Sequence, residues 1–97
     1  MKRDQVLSVL REQHAEVERR FNVKHLALFG SMARDEARED SDVDVLVEFE
    51  GSATFDGYFG LKDYLEQLLG RPVDLVTEKG LKPRARPHVE KDLICVA

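Results

Sequence analysis

The sequence predicts one α/β domain, because segments with helical apolar spacing alternate with short Val- and Leu-rich runs, and because 97 residues leave room for a single modest core. Residues 4–21 carry Val6, Leu10, Val17 and Phe21 along one stripe, with Arg and Glu filling the other faces, and read as an amphipathic helix. His14 falls on that stripe with no second His or Cys nearby at ligand spacing, so a packed or boundary role is expected. After Asn22, KHLALF (24–29) reads as a strand ended by Gly30, and SMARDEAR (31–38) supplies one or two helical turns from good helix formers. Between Ser41 and Phe49 the pattern alternates: Val43, Val45, Val47 and Phe49 point one way, Asp42, Asp44, Leu46 and Glu48 the other. Gly51 to Gly57 reads as a turn. Leu61, Leu65, Leu68 and Leu69 mark a second amphipathic helix stopped by Gly70, and Pro72 opens a third strand, PVDLVT (72–77). Pro83 and Pro87 restrict residues 81–93 to a short or interrupted helix before the closing LICVA (93–97). No repeat, low-complexity tract or linker interrupts the pattern, so one domain spans 1–97, its sheet covered by helices.

Bulk properties narrow the function. Fifteen basic against nineteen acidic residues give a net charge of −4, which argues against a general nucleic-acid-coating protein, and no direct nucleic-acid contact is expected. The charge is segregated: eight acids stand between Asp35 and Glu50 against Arg38 alone, while Lys79, Lys82, Arg84, Arg86 and Lys91 crowd the last fifth of the chain. A single cysteine, Cys95, excludes an intramolecular disulfide and a thiolate zinc cluster; its place in an apolar run predicts a buried small hydrophobe. No apolar stretch approaches the roughly 20 residues that cross a membrane, and the N-terminus lacks a secretory core, so a cytoplasmic location without membrane partners is expected.

The chemistry concentrates in two short stretches. On a strand, Asp42 and Asp44 leave the same face about 6 to 7 Å apart along the backbone. Held close on a Val-rich strand, two carboxylates raise the pKa of at least one of them unless a cation compensates, and magnesium suits such oxygens while leaving positions for phosphate. Asp74 stands alone between Val73 and Leu75, which share the opposite face; if its strand pairs beside the Asp42 strand, it completes a carboxylate triad. An Asp in so apolar a setting is costly without a partner. Gly30 and Ser31 sit where strand gives way to helix, a tight turn whose backbone amides and hydroxyl can receive phosphate oxygens. Together these residues point to nucleotidyl transfer: Gly30 and Ser31 hold a nucleoside triphosphate, and Asp42, Asp44 and Asp74 hold two magnesium ions against it. Asp74 serves the metal nearest the attacking hydroxyl. Arg34 is placed either to touch phosphate or to pair with a nearby acid.

Gly30-Ser31, ten intervening residues, then Asp42-Val43-Asp44 forms the pattern GSx10DxD. With GSMAR followed by SDVDVLVEF, the chain resembles the minimal, single-domain MNT branch of the DNA polymerase beta-like nucleotidyltransferases. The resemblance runs from about Val23 through Thr77, with Asp74 where that family keeps its third carboxylate. Met32 stands where a basic residue is frequent and Asp35 where glycine is frequent. The resemblance implies a small mixed-sheet nucleotidyltransferase domain, with ATP as co-substrate, that transfers AMP to a tyrosine of an all-helical HEPN ribonuclease toxin. This chain is then the antitoxin of the pair, in a hetero-oligomer with the toxin. The alternative is a non-catalytic antitoxin that neutralises its partner by covering it. Modification of a small molecule such as an aminoglycoside is a weaker reading, since family members of that kind carry an extra substrate domain.

Overall fold

The computed structural model describes residues 2–96. Helix α1 (Arg3–Phe21) leads into β1 (Val23–Phe29), the single turn α2 (Gly30–Ala33), β2 (Val43–Phe49), α3 (Phe55–Leu69), β3 (Val73–Thr77), α4 (Arg86–Lys91) and the two-residue β4 (Ile94–Cys95). The four strands form one mixed sheet in the order β3-β2-β1-β4, with β1 antiparallel to both β2 and β4, and β2 parallel to β3. A parallel pair needs a crossover connection, which α3 provides.

The alternation in β2 divides the molecule. Val43, Val45 and Val47 are fully buried with Leu26 and Leu28 of β1 and Val73 and Leu75 of β3, under Val6, Leu10 and Val17 of α1 and Leu61, Leu65 and Leu69 of α3. Each such Val or Leu contributes about 1.5–3 kcal/mol by leaving water, so this layer holds most of the stability. The other sheet face carries a smaller cluster, Ala27 and Leu46 beneath Val89 of α4, flanked by Phe29, Val76, Leu81 and Leu93. That thin cover leaves the end of the face that bears the acids open. Among the described residues, no helix is long and apolar enough to cross a membrane.

Helix ends follow local chemistry. Asn22 terminates α1 in the left-handed region (φ 58°), and its side-chain amide donates to the Glu50 carbonyl (3.3 Å). Gly70 (φ 66°) ends α3, as its position after the Leu run predicts. Pro87 occupies the first turn of α4, where its missing N–H is tolerated.

Two expectations are corrected. Gly51 to Gly57 is not all turn, because α3 already begins at Phe55: Thr54 Oγ1 accepts from the Gly57 N–H (2.9 Å) and caps the helix, a signal that two nearby glycines obscure. Cys95 is exposed rather than buried. On the two-residue edge strand β4, Ile94 turns to the large core and Cys95, its neighbour, faces away. Of the closing LICVA, Ala97 lies outside the described residues. His14 is half-exposed on the side of α1, its Nε2 3.6 Å from Glu18.

Candidate active site

Three adjacent strands assemble the site. In the register, Phe29 of β1 stands opposite Asp44 of β2, and Asp44 opposite Asp74 of β3. Asp44 and Asp74 therefore lie side by side in one row across the sheet. Asp44 is half-buried, whereas Asp74 is exposed: β3 is an edge strand of the sheet, so the apolar setting that Val73 and Leu75 suggested for Asp74 is corrected, and its carboxylate meets water. Asp42, expected on the strand with Asp44, instead precedes its first residue, Val43, and is exposed, near enough for its charge to act on Asp44. The tightest carboxylate pair is thus Asp44 with Asp74, while Asp42 flanks it at the mouth of the strand.

Gly30 bounds the row on the β1 side. Its φ of 73° lies where side chains are disfavoured, and a Cβ built there would meet Asp44 Oδ2 at 2.1 Å and its Cγ at 2.9 Å. The Asp44 carboxylate rests against the Gly30 backbone, an approach that any larger residue blocks. Ser31 follows, half-buried, in the turn closed by the Arg34 N–H donating to the Gly30 carbonyl (3.1 Å) and the Glu36 N–H donating to the Ser31 carbonyl (2.8 Å). The Gly-Ser turn and the carboxylate row are therefore in direct contact.

The electrostatics follow from this packing. Partial burial, then the charges of Asp74 and Asp42 and a shared hydrogen bond with Asp74, push the Asp44 carboxyl up to about 6; the Arg34 guanidinium opposes them. Arg34 Nη1 donates to Asp92 Oδ2 (2.6 Å) and its Nε to Glu36 Oε2 (3.1 Å). Of the two roles open to Arg34 in the sequence, the structure displays pairing with acids.

The acidic connector from Asp35 to Asp40 is mostly exposed, and its course is fixed by two clamps. Ser41 Oγ accepts from the Arg38 N–H (2.9 Å), and Arg71, just before β3, donates through Nη2 to the carbonyls of Arg38 (2.6 Å) and Glu39. These contacts deliver Asp42 to the start of β2. Among the described residues, no group of three His, Cys, Asp or Glu side chains is arranged to hold a metal ion as it stands. The donor set at the row is nevertheless all carboxylate oxygen, the chemistry that suits magnesium.

Every site residue expected from sequence, Gly30, Ser31, Asp42, Asp44 and Asp74, falls in this one neighbourhood. Sequence reasoning missed Arg71 and Asp92, which act from 32 and 58 positions away along the chain and leave no local pattern.

Comparison with known proteins gives the family and the fold. The nucleotidyltransferase-domain family model matches residues 10–96. Protein adenylyltransferase MntA of Thermococcus cleftensis is 40% identical over 93 residues, spanning 96% of this chain and 94% of its own. A solved structure provisionally named a minimal nucleotidyltransferase shares 44% identity with a TM-score of 0.81, over 97% of this chain and 95% of that one. A Shewanella oneidensis complex, described as a tri-AMPylated HEPN toxin with its MNT antitoxin, superposes with a TM-score of 0.69 over 94% of this chain and 71% of that one; at 17% identity it speaks to the fold alone. The chain belongs to the nucleotidyltransferase-domain family, in the minimal branch that contains the MntA protein adenylyltransferases, and Gly30, Ser31 and the carboxylate row are its candidate site.

Proposed function

We propose that the chain is a magnesium-dependent protein adenylyltransferase that moves AMP from ATP to a tyrosine of a HEPN-type toxin in the cytoplasm, and so acts as that toxin's antitoxin. The observation that carries this reading is the contact between Asp44 and Gly30, which puts the Gly30–Ser31 turn against a carboxylate row whose members Asp42 and Asp74 are exposed. The name of the Thermococcus relative supports the same reading, and the fold shared with the antitoxin of the Shewanella complex is compatible with it.

In this mechanism Gly30 and Ser31 receive the triphosphate, and Asp42, Asp44 and Asp74 present oxygens to magnesium. Two magnesium ions held there supply positive charge to the triphosphate and the attacking oxygen. Gly30, lacking a side chain, lets the α-phosphate approach Asp44. Asp74, exposed at the edge of the row, faces the incoming phenol and takes its proton. The tyrosine oxygen bonds to the α-phosphorus while the bond from that phosphorus to the α–β bridging oxygen breaks, and pyrophosphate leaves. The thin cover on this sheet face leaves the cleft for the partner to complete.

Incubation of the chain with a HEPN-type toxin, magnesium and α-labelled ATP tests the proposal. Label is expected on the toxin with the wild type and not with Asp42→Asn/Asp44→Asn. Absence of label with the wild type overturns it, and a double variant that still neutralises the toxin would replace catalysis with simple covering.

A further inference from the structure

The interaction that ties the C-terminal segment to the site lies between Arg34 and Asp92. Arg34 is the residue after α2, and its N–H closes the turn on Gly30, the glycine packed against Asp44. Asp92 ends α4, on the same sheet face as the carboxylate row, and its side chain is only 13% exposed. Glu36 engages Nε and Asp92 engages Nη1, which leaves Nη2 without a hydrogen-bond partner among the described residues. An exposed arginine loses side-chain entropy when it is fixed in one place. Here two carboxylates have already fixed it. A guanidinium fixed beside a phosphate-binding turn offers a planar donor edge of the kind that recognises phosphate oxygens.

We propose that Asp92 is a positioning residue for nucleotide binding: by gripping Nη1, it holds Arg34 with Nη2 beside the Gly30–Ser31 turn, where it meets the triphosphate. The proposal rests on the nucleotidyl-transfer reading of the site. It deepens that reading by assigning a task to α4, which otherwise only covers the sheet through Val89. Substitution of Asp92 removes an anion from the neighbourhood of the phosphates, and on charge alone ATP should then bind more tightly. If Asp92 acts by positioning, ATP binds more weakly in spite of that charge effect, so the two effects have opposite signs.

The test is calorimetric titration of the chain with ATP and, separately, with adenosine, for wild type, Asp92→Asn, Arg34→Ala and the double variant, in magnesium and well below each melting temperature. Asp92→Asn is expected to raise the ATP dissociation constant by about fivefold or more, the scale of one charge-assisted hydrogen bond, with adenosine unchanged within about twofold. In the Arg34→Ala background the same substitution is expected to do nothing further. Asp92→Glu, which keeps the charge, is expected to recover part of the loss. Unchanged or tighter ATP binding in Asp92→Asn, or equal losses for ATP and adenosine, overturns the proposal. Should Asp92→Asn fold poorly, Arg34→Lys decides: it keeps the charge but loses the two-sided grip, so its ATP affinity should fall by a similar factor, and an unchanged value overturns the assignment. Failure of the wild type to bind ATP at all would instead sink the reading of the site on which the proposal stands.

Discussion

At the scale of single residues, Asp44 bears the conflict of the site. Its carboxyl binds a proton more tightly in the folded chain, near 6, than the 3.8 of a free aspartate. The stability it contributes is therefore fully present below about pH 4 and lost as the pH rises through 6. Because the group is partly solvated, the loss is about 1 kcal/mol rather than the full value of the shift. Asp44→Asn should accordingly melt higher than the wild type at pH 8 and match it near pH 4, measured by thermal denaturation of the two proteins in parallel; a variant less stable at pH 8 would contradict this. Gly30 has the opposite character. Gly30→Ala forces a Cβ into Asp44 at a φ that alanine disfavours, and should cost about 2 kcal/mol or more while abolishing nucleotide binding, read by chemical denaturation and ATP titration. Asp35 is subtler. It occupies the left-handed region (φ 60°), which accounts for the glycine expected at this position, yet its Oδ1 accepts from the Arg3 N–H (3.2 Å) at the start of α1. Glycine relieves the first at the expense of the second, so Asp35→Gly should change stability by less than about 0.5 kcal/mol, whereas Asp35→Ala loses both and should cost about 1–2 kcal/mol in urea unfolding.

Secondary-structure elements show what a pattern of residues can and cannot reveal. The period-two run in β2 was legible because one face meets a deep core, and the Leu spacing of α3 was legible for the same reason. Leu61, Leu65 and Leu69 are buried while Leu68 is only half so, and Leu65→Ala should therefore cost about 3 kcal/mol against about 1 kcal/mol for Leu68→Ala, as denaturant midpoints will show. Leu46 shares the face of Asp44 and Glu48, and its burial depends on Val89 arriving from α4, which no local pattern announces. Cys95 deceived for a related reason: an apolar run of residues was read as burial, but the strand it forms is two residues long and lies at the sheet edge. The Thr54 cap was hidden among glycines, where a turn is the natural expectation.

For the molecule as a whole, the candidate site residues could be named from the sequence and their arrangement could not. Asp42 and Asp44 stood out as a pair by spacing, but the strand register makes Asp44 and Asp74 the closest pair, and that register is set by the sheet and not by either strand. The grip of Asp92 on Arg34 likewise exists only once β4 and α4 are folded back over the face. Asp44 beside Asp74, with Asp42 flanking them and the Asp44 carboxyl raised to about 6, is a charge in search of a cation, and magnesium in the millimolar range should raise the melting temperature of the wild type at pH 8 and leave Asp42→Asn/Asp44→Asn unmoved. The central claim is that this row transfers AMP to a protein. It is tested most directly by the intact mass of a HEPN-type toxin after co-expression with the wild-type chain or with Asp42→Asn/Asp44→Asn. The expected result is a toxin heavier by one or more AMP units with the wild type alone, and an unmodified toxin in the presence of the folded wild-type chain would contradict the claim.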